Sequence, residues 1–185
     1  MTEISDGVIT LRPWVPEDAD LLMEASTDPA VRRYSLSRSQ PFAAGEARAE
    51  LADGDSYRLT TDGLGRPSGP LVIVDAATGA SLGQCGIDGW SAGDVAQIGY
   101  WLLPRVRGRG IATRAVVLLK RWLFDLGAHR VFLMVVADNL ASIGVAERAG
   151  FLLEGPTGER VTWEGWSHEV LRYAAEAGHL AAERP

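Results

Sequence analysis

Arg107-Gly108-Arg109-Gly110-Ile111-Ala112-Thr113 is the stretch of this chain whose residue types best suit a chemical task, the holding of a phosphate. Glycines at 108 and 110, followed by small Ala112, let an anion approach the backbone closely. The unpaired amides of a following helical turn would point at that anion, and the helix dipole adds to the attraction. Arg105, Arg107, Arg109 and Arg114 raise the local positive potential on a chain of formal charge -6. A Walker loop is excluded, because no Gly-Lys pair exists. A dinucleotide fingerprint fits poorly, because Thr113 stands where the third glycine belongs. The plain alternative is an Arg/Gly connector with no ligand.

Other reactive side chains offer less. Cys85 is the only cysteine, so neither an intrachain disulfide nor a multi-cysteine zinc site is available. As a nucleophile it would need His129 or His168 as its base; a small buried strand residue is the more ordinary role for a free cysteine. The three histidines show no metal-ligand spacing, and no metal is expected. The acidic balance disfavours nucleic acid and anionic membranes and favours a cationic substrate. The opening MTEISDGVIT lacks a secretory layout, and no apolar run approaches the ~20 residues of a membrane span, so a cytoplasmic protein is expected.

The elements that must position the loop can be read from periodicity. Val8 to Trp14 alternates as a strand; Pro16 opens a helix with Glu17, Asp18 and Asp20 near its positive end, and Asp28-Pro29 divides it from a second helical piece, Ala30 to Tyr34. Ser35 to Phe42 reads as loop and Gly45 to Ala52 as helix. Tyr57 to Thr61 looks like a strand and Asp62 to Pro70 like a loop, followed by a hairpin of Leu71 to Asp75 and Ser81 to Ile87. Val95 to Leu103 is a strand limited by Pro104, and Gly110 to Leu126 is a helix with an apolar stripe stopped by Gly127. Val131 to Val136 suits a strand buried on both faces, and Asp138 or Asn139 can cap the helix that ends at Gly150. Short strands are expected at Leu152 to Glu154, Glu159 to Trp163 and His168 to Tyr173. The pattern predicts one α/β (α+β) domain over residues 1–175 and a frayed tail over 176–185.

Arg107, Gly110 and Ala112 match in register the signature of the GNAT superfamily of acetyltransferases, which the chain resembles from about Ile9 to Tyr173. Ile98-Gly99-Tyr100-Trp101-Leu102-Leu103-Pro104, Asn139-Leu140-Ala141-Ser142, Glu147-Arg148-Ala149-Gly150-Phe151, Leu11-Arg12-Pro13-Trp14 and Asp28-Pro29-Ala30-Val31 extend the likeness. They resemble the branch containing the ribosomal-protein N-terminal acetyltransferases. The resemblance implies a mixed, mostly antiparallel sheet splayed at the cofactor strand, with flanking helices and acetyl-CoA in the gap. It implies that the backbone of Trp101, Leu102 and Leu103 pairs with the pantetheine. The amides of Arg107, Gly108, Arg109, Gly110, Ile111, Ala112 and Thr113 would hold the pyrophosphate, and Asn139 would contact the pantetheine arm or serve only as a helix cap.

Direct acyl transfer needs a neutral amine, a destination for its proton, a stabilised oxyanion and help for the departing thiolate. Many relatives carry Tyr for the thiolate where this chain has Ala146; the branch it most resembles nominates Ser142 instead. The position often occupied by a Glu base corresponds to Gln97, which cannot accept a proton usefully. Glu159 is then the base candidate, with Glu154 and His168 behind it, or water serves, since an α-amine has a pKa near about 8. Tyr34 to Phe42 and Gly155 to Trp166 would flank the acceptor, with Trp163 and Trp166 lining the cleft, in the core, or against a second subunit of a homodimer. The expected activity is acetyl transfer from acetyl-CoA to a primary amine, a protein N-terminus or a small molecule. The alternatives are a catalytically weak acyl-CoA-binding scaffold and a fold using the loop for ATP or NAD.

Overall fold

The computed structural model describes residues 3–36, 40–43, 45–163 and 165–178, with backbone alone at Leu36, Asp53, Trp163 and Trp166. Strand β1 (Ile4–Ser5) folds back on β2 (Ile9–Pro13) because Asp6 accepts the amides of Val8 and Ile9 while Gly7, at φ +84°, makes the turn. A 3-10 turn at Pro16–Asp18 leads into α1 (Ala19–Thr27). Asp18, nearly buried, takes two bonds from Arg12 at 2.7 and 2.8 Å and one from the Val15 amide, which fixes how β2 enters the helix. Asp28 caps the short α2 (Pro29–Val31), which runs into a π-helical turn over Arg32–Leu36. Then follow α3 (Glu46–Asp53), β3 (Thr60–Thr61), the long hairpin of β4 (Pro67–Asp75) and β5 (Ser81–Ser91), and β6 (Val95–Leu102). The chain closes with α4 (Ile111–Asp125), β7 (Arg130–Val136), α5 (Leu140–Arg148), β8 (Leu152–Trp163) and β9 (Trp166–Glu176).

These strands form one mixed sheet in the order β1-β2-β4-β5-β6-β7-β9-β8, with β3 on the side of β4. Every pairing is antiparallel except β6 with β7. That one parallel pairing runs from Val95↔Arg130 to Ile98↔Leu133 and stops, although both strands continue. Gly99 to Leu102 is therefore paired with β5 alone, and the sheet is splayed beside it as expected. The apolar stripe of α4, with Ala115, Val116, Leu119 and Leu123 fully buried, packs on the face that also buries Ile98, Val131 and Leu133.

Four local expectations are corrected. Tyr57 closes a 3-10 turn (Asp55–Tyr57) rather than opening a strand, and only Thr60–Thr61 pairs with β4. The loop after it is shorter than its glycines suggested, because β4 begins at Pro67. The short strands expected after Phe151 are two long ones, with bulges at Leu153/Gly155 and Pro156/Arg160 absorbing the residues that looked like breaks. Glu176, placed in the tail, is the last residue of β9 opposite Arg130; residues 179–185 lie outside the described part. No described helix is long and apolar enough to cross a membrane.

Candidate active site: two clefts meeting at the splay

The loop after β6 takes the form its glycines permit. Gly108 and Gly110 both sit at φ +75°, and a Cβ on either would meet nothing within 4 Å, so the concavity beside them is open to a ligand. Gly110 precedes α4, whose first backbone bond is from the Arg114 amide to the Gly110 carbonyl. The amides ahead of Arg114 keep no helical partner and share the positive end of the dipole. The Thr113 hydroxyl, buried beside them, also has no partner. These are the properties of a seat for a pyrophosphate, and the residues present fit one.

The arginines contribute less charge than their number suggests. Arg105 pairs with Glu24 at 3.2 Å, Arg114 with Asp6 at 2.6 Å and Arg107 with Asp28 at 3.1 Å. Arg109 alone of the four has no ion-pair partner among the described residues, and its side chain stands exposed outside the cleft. Arg107 instead builds the loop: its Nε and Nη2 donate to the Leu102 carbonyl at 3.1 and 2.9 Å while the same guanidinium holds Asp28. Burial alone would raise the Asp28 pKa; the bonds from Arg107 and from the Val31 amide outweigh it and leave that carboxyl lower than usual. The end of β6, the loop and the cap of α2 are thus tied together by one side chain.

A cleft of about 550 Å³ runs from this loop along β6 to α5. Its walls include Trp101, Leu102, Arg107, Gly108, Gly110, Ile111, Ala112, Thr113 and Asn139 of the expected cofactor residues, together with Ser142, the residue nominated for the thiolate. Leu103 is a correction: it is wholly buried, its amide donates to Leu82 and its carbonyl accepts from Val106, so neither backbone group is left to pair with a ligand. Asn139 uses its side-chain oxygen to cap α5 through the Ser142 amide at 3.2 Å, which leaves its NH2 group as a donor on the cleft wall. Arg148, from the last turn of α5, lines the same cleft with no ion-pair partner among the described residues.

At the splay the cleft meets a second one, of about 430 Å³, on the opposite face of the sheet. Ser142 Oγ lies 2.7 Å from the Tyr100 hydroxyl, and both groups border both clefts. Desolvation pushes the Tyr100 pKa up to about 12, against a lowering by Ser142, so the phenol stays protonated at neutral pH. Tyr100 went unnoticed because its place in the strand motif gives no sign that its hydroxyl reaches a serine 42 residues onward. Ala146, where relatives carry Tyr, is fully buried, and the phenol at this site comes from the strand, paired with the Ser142 hydroxyl of α5.

Gln97 lies in the second cleft, and its Nε2 donates at 3.3 Å to Asp88, a residue no motif singled out. Glu159 borders the same cleft from β8, exposed. The other base candidates are elsewhere: Glu154 is bound to Arg130, and the His168 ring faces Asp138 at 3.7 Å, outside both clefts. Tyr34 stands at the junction of the clefts and donates to Asp138 at 3.3 Å. Residues 37–39 of the expected acceptor flank and the side chains of Trp163 and Trp166 lie outside the described part. Cys85 is fully buried in β5 with its thiol pKa pushed far up by desolvation, which makes it core and not a nucleophile. No group of three or more His, Cys, Asp or Glu among the described residues is placed to hold a metal.

Comparison with known proteins agrees with this geometry. The family model described as "Acetyltransferase (GNAT) domain" matches residues 9–152. The chain is 28% identical over 169 residues, 90% of both chains, to the Bacillus subtilis protein named "Putative ribosomal N-acetyltransferase YdaF". Among solved structures, RimL, described as a ribosomal L7/L12 α-N-protein acetyltransferase in complex with coenzyme A, superposes with a TM-score of 0.77 at 20% identity, over 95% of this chain and 98% of that one. A Salmonella typhimurium acetyl transferase described as modifying the N-terminal serine of L7/L12 superposes with a TM-score of 0.74 at 20% identity, over 95% and 99%. Both show the same fold.

Proposed function

We propose that this chain, which belongs to the acetyltransferase (GNAT) family and is an acyl-CoA-dependent acetyltransferase, passes the acetyl group directly to the α-amine at a protein N-terminus. The observation that carries the direct route is the meeting of the two clefts: the phosphate loop and β6 lead one of them to the Tyr100–Ser142 pair, and the other opens there from the opposite face. The thioester supplies an activated carbonyl and a leaving sulfur. The loop amides from Arg107 to Thr113 hold the phosphates, and the edge of β6 that β7 leaves unpaired, from Gly99 to the Leu102 amide, aligns the arm as an added strand, the Leu102 carbonyl being held by Arg107.

Tyr100 and Ser142 serve the sulfur. A phenol at about 12 is a weaker acid than a thiol at about 8.5, so the pair acts by hydrogen bonding to the developing thiolate, which takes its proton from solvent. Such a pair supports turnover over a scaffold role, since a chain that only held acyl-CoA would have no use for it. Among the described residues the acceptor cleft carries Asp88 and Glu159 against Arg172, a balance suited to a protonated amine at encounter. The likeness to enzymes named for ribosomal-protein N-termini favours a peptide over a small amine.

Thiol release from acetyl-CoA, measured against a panel of N-terminal peptides and small amines, tests the assignment. The expected result is acceptor-dependent release with kcat/KM at least tenfold higher for the best peptide than for any small amine. Tight CoA binding with no release on any acceptor would return the chain to a binding role.

A further inference from the structure

We propose that Asp88 is the catalytic base that receives the proton of the attacking amine, in the place left vacant by Gln97. This inference rests on the acetyl-transfer reading of the same site.

Asp88 reaches the cleft because of a bulge. The β5–β6 register passes from Ile87↔Ile98 directly to Gly89↔Gln97, so Asp88 has no partner on β6 and its side chain is turned toward the face that Gln97 and Gly99 share. Its carboxylate is placed from two sides. Gln97 Nε2 donates to Oδ2 at 3.3 Å, and a Cβ built on Gly99 would lie 3.1 Å from the same oxygen. The missing side chain at Gly99 leaves that oxygen facing open space at the point where β6 parts from β7. The next residue, Tyr100, points through the other face to Ser142. A carboxylate on the acceptor side and a hydroxyl pair on the cofactor side thus flank the sheet at consecutive residues of the splayed strand.

The chemistry balances. The ammonium first gives one proton to solvent; the neutral amine nitrogen then forms a bond to the thioester carbonyl carbon and becomes strongly acidic as it does so. Asp88 takes that proton, the C–S bond breaks, and the electron pair leaves on sulfur beside Tyr100 and Ser142. Asp88 returns its proton to solvent, and the thiolate gains one, giving an amide and a free thiol. Gln97 suits the arrangement because its amide orients the carboxylate without titrating. Asp88 is exposed at the cleft, but the protein packed around its carboxyl pushes its pKa up by desolvation, more than the Gln97 bond lowers it, which makes it a somewhat stronger base than a carboxylate in bulk water. The other titratable groups around it among the described residues are the buried Cys85 thiol on its own strand, Tyr100 on β6, Tyr34, and Glu159 and Arg172 across the cleft; Ser68 and Gly69, facing Ile87 from β4, do not titrate. Glu159 is also exposed at this cleft, from β8, but among the described residues nothing hydrogen-bonds its carboxylate into place as Gln97 does that of Asp88.

The test measures acceptor-dependent thiol release from pH 5 to 9 for wild type, D88N, D88E and the double variant D88N/Q97E, with CoA affinity by calorimetry as the check on folding. D88N is expected to lose roughly 10²-fold or more in kcat, the scale of a lost general base, with unchanged CoA affinity and a flattened acid limb. D88E retains part of the rate, and D88N/Q97E recovers at least tenfold over D88N by returning a carboxylate to the neighbouring strand. A readout independent of activity is thermal melting. A carboxyl with a raised folded pKa stabilises the fold below its unfolded pKa and loses that contribution as pH rises through the folded value, so D88N should melt no lower than wild type at pH 7. An active wild type beside an equally active D88N, or a D88N that keeps the wild-type acid limb, overturns the base alone. A wild type that binds CoA and releases no thiol with any acceptor removes the transfer reading and the base with it.

Discussion

At the scale of single residues, the loop invites a test that separates shape from charge. Gly110 needs φ +75°, a region that Asn and Asp tolerate about equally well, and a Cβ there meets no atom. Gly110→Asn and Gly110→Asp therefore impose similar backbone strain and differ in the negative charge placed where the phosphates sit. Gly110→Asp should weaken CoA binding by at least tenfold more than Gly110→Asn, a difference of about 1.4 kcal/mol or greater by calorimetry. Equal affinities would mean that the phosphates bind elsewhere. This loop was legible in the sequence because its signal is local: small residues, a helix start and arginines within ten positions. Tyr100 and Asp88 were not. One acts through a serine on a distant helix and the other through a bulge in strand register, and neither relation leaves a trace in spacing along the chain.

At the scale of elements, the same division holds. Helix α4 was readable from its 3.6-residue stripe, whereas β8 and β9 read as fragments because Gly155, Pro156 and Gly158 look like breaks until pairing with the neighbouring strand turns them into bulges. The contact that joins α4 to α5 was equally hidden. Lys120, almost fully buried, donates at 2.6 Å to the Ala149 carbonyl just past the end of α5, and its ammonium lies 5.1 Å from the centre of the Phe151 ring. A cation at a helix C-terminus complements the dipole, and removing it leaves a buried carbonyl short of a donor. Lys120→Met keeps the stem volume and should cost about 1–3 kcal/mol in denaturant unfolding. Because α5 carries Asn139 and Ser142 to the cleft, CoA affinity should fall with it. A variant as stable as wild type would show that the bond is dispensable.

At the scale of the whole molecule, the family fold and its splayed sheet followed from the alternation of strands and helices together with the motif matches. What position in sequence did not reveal is how narrow the join across that sheet is. Residues before Gly127 form the antiparallel part of the sheet with α4 packed on it; those after it form β7, β9 and β8 with α5; and within the sheet the two parts meet through four register pairs, Val95–Ile98 against Arg130–Leu133, beside the Lys120 contact between α4 and α5. The chain passes between them once, at the exposed turn around Gly127. The protein is therefore divisible. Cleaved or expressed as residues 1–126 and 127–185, it should reassemble from two fragments, and since the cofactor cleft takes Gly108 to Thr113 from the first and Asn139 to Arg148 from the second, CoA should act as the glue. Titrating one labelled fragment with the other is expected to show association at least tenfold tighter with saturating CoA than without it. Indifference to CoA would mean that the ligand does not bridge the two halves.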